Sequence, residues 1–199
     1  MQKECIDADR IFVIRGFLTR DECASFVAIS EQTGYEDATI TTAAGFVMAK
    51  DIRDNARLIR DDIALADRLW ERARLFLPQQ FAGWRAVGLN ERFRFYRYDS
   101  GQKFAPHYDG HFRRSESELS KLTFMIYLNG GFIGGETRFY RDDREPNATV
   151  CPETGMALAF VHQQLHEGAP VISGRKYVLR TDVMYTLSVA PEASMTTPT

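Results

Sequence analysis

The run Lys176–Ser188, KYVLRTDVMYTLS, decides the fold. It is rich in β-branched and aromatic residues and reads as a strand. Alternate side chains of a strand share a face, so an unbulged strand turns Lys176, Val178, Arg180 and Asp182 the same way. Similar short runs fill the chain from about Val87 to Met184: RFRFYRY (92–98), LTFMIYLN (122–129), TRFY (137–140) and MALAF (156–160). Gly, Asn and Pro cut them apart. Many short strands at close spacing predict a sandwich or barrel.

Upstream the pattern is helical. Thr19-x-x-Glu22 is a capping box, followed by a stripe of Cys23, Phe26, Val27 and Ser30. A second helix is expected from Asp61 or Asp62 to Pro78. There Ile63, Ala66, Leu69, Trp70, Ala73, Phe76 and Leu77 keep helical spacing. The expected organisation is one domain over 1–190, with a helical N-terminal part at about 1–86 and a β-rich core at about 87–190. The polar tail PEASMTTPT, 191–199, is expected to be disordered.

The chain has 199 residues, enough for one sizeable core. With 44% hydrophobic and 26% charged residues it reads as soluble and globular. A net charge of -2 argues against nucleic acid as a partner. No apolar run is long enough to span a membrane, and the N-terminus has no signal-peptide pattern. Cys5, Cys23 and Cys151 are few and widely spaced, which suggests a reducing, cytoplasmic setting.

The chemistry centres on FAPHYDGHF, Phe104–Phe112. His107 and Asp109 are two apart, so one strand can offer both to one ion. The distal LHEGAPV supplies His166. Two histidines and a carboxylate on one face of an ion form the non-haem Fe(II) triad, which leaves positions open for oxygen chemistry. H-x-D alone is a weak signal. His162 and His166 would make a zinc pair on a helix, but HQQLH lacks the glutamate of H-E-x-x-H and its flanks read as strand and loop. His111 is expected to be a solvated loop residue and His162 a structural one.

Further spacing narrows the reading. Tyr98 lies nine residues before His107, Lys176 lies ten after His166, and YLNGGFIGGETRFY (127–140) falls between. With these motifs in this order, over roughly Asn90–Met184, the chain resembles the Fe(II)- and 2-oxoglutarate-dependent oxygenases, in their prolyl 4-hydroxylase-like branch. The resemblance implies a mainly β fold with flanking helices, the double-stranded β-helix (jelly roll, cupin-like). It implies His107, Asp109 and His166 as iron ligands. It also implies that Lys176 pairs with the distal carboxylate of 2-oxoglutarate, and that Tyr98 and Thr137 hydrogen-bond to it. Fe(II), 2-oxoglutarate and O2 follow as cofactor and co-substrates, with ascorbate as a stimulant. The implied reaction hydroxylates an unactivated C–H bond while 2-oxoglutarate and O2 become succinate and CO2. The implied substrate is a small molecule, an amino acid or a peptidyl, prolyl-type side chain. Asp109 itself favours hydroxylation or another two-electron oxidation, since halogenating relatives lack that carboxylate.

The chain departs from the prolyl hydroxylases at Asp182, six residues after the lysine, where they commonly carry an aromatic residue. Strand parity turns Arg94, Arg180 and Asp182 inward, either as a structural ion pair or to recognise a polar substrate. FRRSESELSK (112–121) reads as a lid or a solvated loop. TTAAGFVMAKDIRDNARLIRDD (41–62), with Arg53, Asn55 and Arg57, reads either as the other wall of the site or as a surface charge run, and the charge run is expected. Two rival functions stand beside the oxygenase. An idle jelly-roll binding module has no need for Lys176, Tyr98 and Thr137, and a cupin-type enzyme of another metal usually has more histidines.

Overall fold

The computed structural model describes residues 1–38, 40–42, 45–47, 49, 51–141 and 145–187. The expected disordered tail lies outside them. The chain opens with β1 (Gln2–Asp7), β2 (Ile11–Arg15), α1 (Arg20–Thr33), β3 (Glu36–Asp37), β4 (Ile40–Thr42), β5 (Gly45–Val47), β6 (Ala56–Asp61) and α2 (Ile63–Ala73). It continues with β7 (Gln80–Phe81), β8 (Trp84–Leu89), β9 (Arg92–Tyr98), β10 (Phe104–His107), β11 (Glu118–Tyr127), β12 (Ile133–Gly134) and β13 (Thr137–Tyr140). It closes with β14 (Pro146–Val150), β15 (Ala157–Val161), β16 (His166–Gly168), β17 (Val171–Ser173) and β18 (Lys176–Leu187).

Two sheets carry the fold, a mainly β double-stranded β-helix. The larger runs β1-β2-β15-β11-β18-β9-β6-β3, with β8 also paired to β18, and the smaller runs β10-β16-β13-β14. Period-2 alternation divides the larger sheet's side chains between two cores. Phe12, Ile14, Phe95, Phe124, Leu179 and Tyr185 point to the helical side, where Leu65 and Leu69 of α2 meet them. Ile11, Val13, Tyr96, Tyr98, Leu158 and Val178 point the other way, onto Phe139 and Val150 of the smaller sheet. The candidate site grows out of this second interior.

The N-terminal part is less helical than expected. β1 and β2 extend the large sheet by pairing β2 with β15, and β6 pairs with β9. The capping box at Thr19 and Glu22 is formed, with both reciprocal bonds present. The second helix starts after its N-cap Asp62 but ends at Ala73, short of Pro78. Phe76 N–H bonds to Ala73 O, an i→i+3 contact that tightens the chain out of α-geometry ahead of the proline. The buried stripe is Leu65, Ala66, Leu69 and Ala73, while Ile63 is 70% exposed. The stripe is thus turned by two residues at its N-terminal end.

Phe124 is fully buried and meets Phe17 edge-on, ring centroids 5.2 Å apart. Phe124→Ala should therefore cost about 3–5 kcal/mol of stability. Denaturant unfolding of the two proteins measures this, and a change below about 1 kcal/mol would mean that this face is not the packed core described.

Candidate active site

Three ligand atoms converge at one end of the second core. His107, Asp109 and His166 each present one, all within 4.8 Å of one another. His107 closes β10 and His166 opens β16, and the two are direct antiparallel partners. Cross-strand pairing therefore brings together histidines 59 residues apart in sequence. Asp109 lies beyond the end of β10, so strand parity does not place it. Three contacts do: its backbone N–H donates to His162 O at 3.2 Å, Thr123 Oγ1 donates to Oδ2 at 2.5 Å, and Arg180 Nη1 lies 2.9 Å from Oδ1.

The tautomers suit metal binding. His107 Nδ1 is 2.8 Å from Ala105 O, and His166 Nδ1 is 2.9 Å from Gln164 O. A carbonyl only accepts, so each Nδ1 carries a proton, the tautomer that leaves Nε2 the metal-binding nitrogen. Those Nε2 atoms lie 3.7 and 3.6 Å from the Asp109 carboxylate. Burial lowers the His166 pKa to about 4, which keeps the ring neutral. Burial would raise the Asp109 pKa, but Arg180 together with His166 and His107 outweighs it and holds the group well below the usual carboxylate range.

The same cavity is lined by Tyr98, Thr137 and Lys176 alongside His107 and His166. Lys176 faces Tyr98 directly across the β18–β9 pair. It is 2% exposed, and its Nζ donates to Gly135 O at 2.7 Å. It also lies 5.2 and 5.4 Å from the ring centres of Tyr98 and Tyr127. Among the described residues no carboxylate lies within ion-pair distance of it. Burial consequently lowers its pKa to about 7. Thr137 Oγ1 and Tyr127 Oη are 2.7 Å apart. Burial raises the Tyr98 and Tyr127 phenols, so both remain protonated donors. Gly135, at φ +70°, leaves room for the lysine: a Cβ there would meet Lys176 Cδ at 3.2 Å. Arg175 turns the other way and pairs with Asp99.

Of the three inward charges expected from parity, only Arg180 lines the cavity. Asp182 is 1% exposed and is held by Arg94 at 3.1 Å and Arg180 at 3.4 Å. His111 is exposed. His162 is buried and contacts Ser120 Oγ at 2.9 Å and Thr123 Oγ1 at 3.2 Å. From Glu118 onward the 112–121 segment is strand, not loop.

The expected surface charge run is a correction. Arg53 is 6% and Asn55 1% exposed. The Arg53 guanidinium lies over Tyr96 and Phe104, both on the cavity wall. The sequence reading also missed Thr123. Its cross-strand partner is Asp182, so register, not motif, is the signal that finds it.

These residues fit the groups that the resemblance implied. Two imidazoles and an ionised carboxylate are a ferrous donor set, and a buried lysine without a counter-ion among the described residues suits a dicarboxylate. Fold and constellation together define a class, a double-stranded β-helix with an open facial site for one metal ion. The pattern of the 2OG-Fe(II) oxygenase superfamily matches residues 93–181. Prolyl 4-hydroxylase 13 of Arabidopsis thaliana is 31% identical over 204 residues, covering 85% of this chain and 69% of that protein. The probable prolyl 4-hydroxylase 7 of the same plant is 25% identical over 84% of this chain, which spans 60% of that protein's length. The chain belongs to the 2OG-Fe(II) oxygenase superfamily, in its prolyl 4-hydroxylase-like branch. Among solved structures, a Trichoplax adhaerens prolyl hydroxylase in complex with a hypoxia inducible factor peptide fragment shares the fold. It has a TM-score of 0.68 at 17% identity, covering 89% of this chain and 84% of that one. A Pseudomonas putida prolyl-4-hydroxylase does so at TM-score 0.64 and 19% identity, covering 87% and 91%.

The lysine gives a signed pH dependence. Its folded pKa of about 7 lies below the ordinary 10.5, so between those values the unfolded chain binds the extra proton. Stability of the metal-free protein should rise with pH across that window and level off below it. Lys176→Met should flatten the rise and be the more stable protein near pH 7. Thermal midpoints of both proteins from pH 7 to about 10 test this, and parallel curves would show that Lys176 is not buried unpaired.

Proposed function

We propose that this chain is an Fe(II)- and 2-oxoglutarate-dependent dioxygenase that hydroxylates an unactivated C–H bond of a small molecule, an amino acid or a prolyl-type side chain. One observation carries the reading: a single cavity is lined both by the two histidines of the three-ligand cluster and by a buried lysine with no carboxylate partner among the described residues. His107 and His166 would ligate iron through Nε2, and Asp109 through a carboxylate oxygen. When bound, the iron supplies the coupled chemistry in which 2-oxoglutarate and O2 become succinate and CO2 and one oxygen atom enters the substrate C–H bond.

The chain's own part is positional and electrostatic. Lys176 offers its charge to the distal carboxylate, regaining a full proton as it does so. Tyr98 and Thr137 offer hydroxyls to the same group. Thr123 and Arg180 fix the Asp109 carboxylate, so its orientation is set before a ligand arrives. Phe104, Met125 and Val178 give the cavity an apolar wall, which keeps bulk water from the Lys176 pairing.

Two comparisons test this. His166→Ala should abolish iron binding and turnover, while His162→Ala should spare both, by equilibrium dialysis with Fe(II) under anaerobic conditions. The reverse pattern would reassign the distal ligand. Lys176→Ala should weaken 2-oxoglutarate by about 3–5 kcal/mol, on the order of a hundred- to a few-thousand-fold in Kd. Iron affinity should hold, and Arg175→Ala should bind both normally. Loss of 2-oxoglutarate in the arginine variant alone would overturn the assignment.

A further inference from the structure

Arg53 is a buried cation that the proposed reaction does not use. Its Nε donates to Asn55 Oδ1 at 2.7 Å, but its Nη2 is buried without any hydrogen-bond partner. The guanidinium lies 4.6 Å from the Tyr96 ring centre and 4.4 Å from that of Phe104. Both rings line the cavity that holds His107 and His166. Phe104 in turn stacks on the His107 imidazole at 3.5 Å. Arg180 Nε, in the same cavity wall, is likewise buried and unpartnered.

The charges around this point are unequal. Three guanidiniums, Arg53, Arg94 and Arg180, act on Tyr96, and only Arg94 and Arg180 have carboxylates, Asp109 and Asp182. Asp182 is divided between Arg94 and Arg180, and Asp109 belongs to the three-ligand cluster, where a metal would draw on the same oxygens. No carboxylate lies within ion-pair distance of Arg53 among the described residues. Leaving a buried donor unpaired costs about 1–3 kcal/mol, and an uncompensated buried charge costs more. Tyr96 registers the excess: burial alone would raise its phenol, yet the charges of Arg53, Arg180 and Arg94 lower it. A site with surplus positive charge, open donors and one phenol is complementary to a carboxylate, with its two acceptor oxygens, and less so to a neutral peptide carbonyl.

We infer that Arg53 and Arg180, with the Tyr96 hydroxyl, form a carboxylate subsite, so that the substrate presents a free carboxylate to this wall. The carboxylate belongs to a small acid such as a free amino acid, or to the carboxyl-terminal residue of a peptide, and not to the interior of a polypeptide. About 13 Å of strand separates Lys176 from Arg180 on β18, which gives the co-substrate and the substrate carboxylates separate cations. The inference rests on the proposed 2-oxoglutarate reading of the cavity.

The test uses protein loaded with Mn(II) and saturating 2-oxoglutarate, so that no turnover occurs and the co-substrate site is already filled. The probes are the standard L-amino acids, the glycyl dipeptides ending in each, the carboxamide of every one, and an internal-proline peptide blocked at both ends. Binding is read by isothermal titration and by the shift in thermal midpoint. At least one acid should bind ten-fold or more tighter than its carboxamide. The free and dipeptide arms identify which kind of acid it is. In Arg53→Gln that preference should fall below about two-fold, and in Arg53→Lys it should largely return. The wild-type comparison stands even where a variant fails to fold. Equal binding of acids and amides, no binding by any acid, binding of the blocked peptide alone, or an undiminished preference in a folded Arg53→Gln would each overturn the inference. Failure of 2-oxoglutarate itself to bind would instead sink the underlying functional reading, and it is seen at the loading step before any probe is added.

Discussion

A carboxylate sealed inside a β-helix has to be met by a cation, and in this chain that cation is Arg180. It lies 2.9 Å from Asp109 and 3.4 Å from Asp182, so one guanidinium joins the metal-binding cluster to the end of the interior. Its position follows from β18. Along this strand Lys176, Val178 and Arg180 turn into the cavity, while Tyr177, Leu179 and Val183 pack toward the helices. A one-residue slip would reverse the faces and strand every charge in the apolar core. The register is therefore held from both sides, by the apolar packing of one face and by ion pairing on the other.

That constraint explains why much of the site was legible in the sequence. The ten-residue step from His166 picks Lys176, parity along KYVLRTDVMYTLS then turns Val178 and Arg180 the same way, and the capping box at Thr19 marks a helix start. Other features depend on partners far away in the chain. Arg53 and Asn55 look like surface residues in a polar run. They are buried because the Arg53 backbone bridges to Phe104 and the guanidinium stacks on Phe104 and Tyr96. Asp109 looked like a strand residue beside His107, yet Thr123 and Arg180 place it. The N-terminal strands were hidden for a similar reason. IFVIR, 11–15, is short, and its partner β15 lies more than 140 residues away.

The interior also sorts its charges by task. Lys176 sits among tyrosines and a backbone carbonyl with no counter-ion among the described residues, and burial depresses its proton affinity. Arg94 is occupied by Asp182, and Arg180 turns its two Nη groups to Asp109 and Asp182 while its Nε stays open. Arg53 has aromatic faces and one amide. Each remaining deficit points to a negative group from outside the chain, and the two deficits lie in different parts of the interior. Such groups lower the stability of the empty protein and are compensated when ligand binds, a trade expected of a preorganised site.

The account's central claim is that these buried charges serve one oxidative reaction. Its most direct measurement is the fate of 2-oxoglutarate when the protein is incubated with Fe(II), O2 and ascorbate. The account predicts iron-dependent formation of succinate, one for each 2-oxoglutarate consumed, which ceases when a chelator removes the metal. Protein that binds Fe(II) and 2-oxoglutarate yet forms no succinate, with or without candidate acids present, would contradict it and leave a binding module in its place.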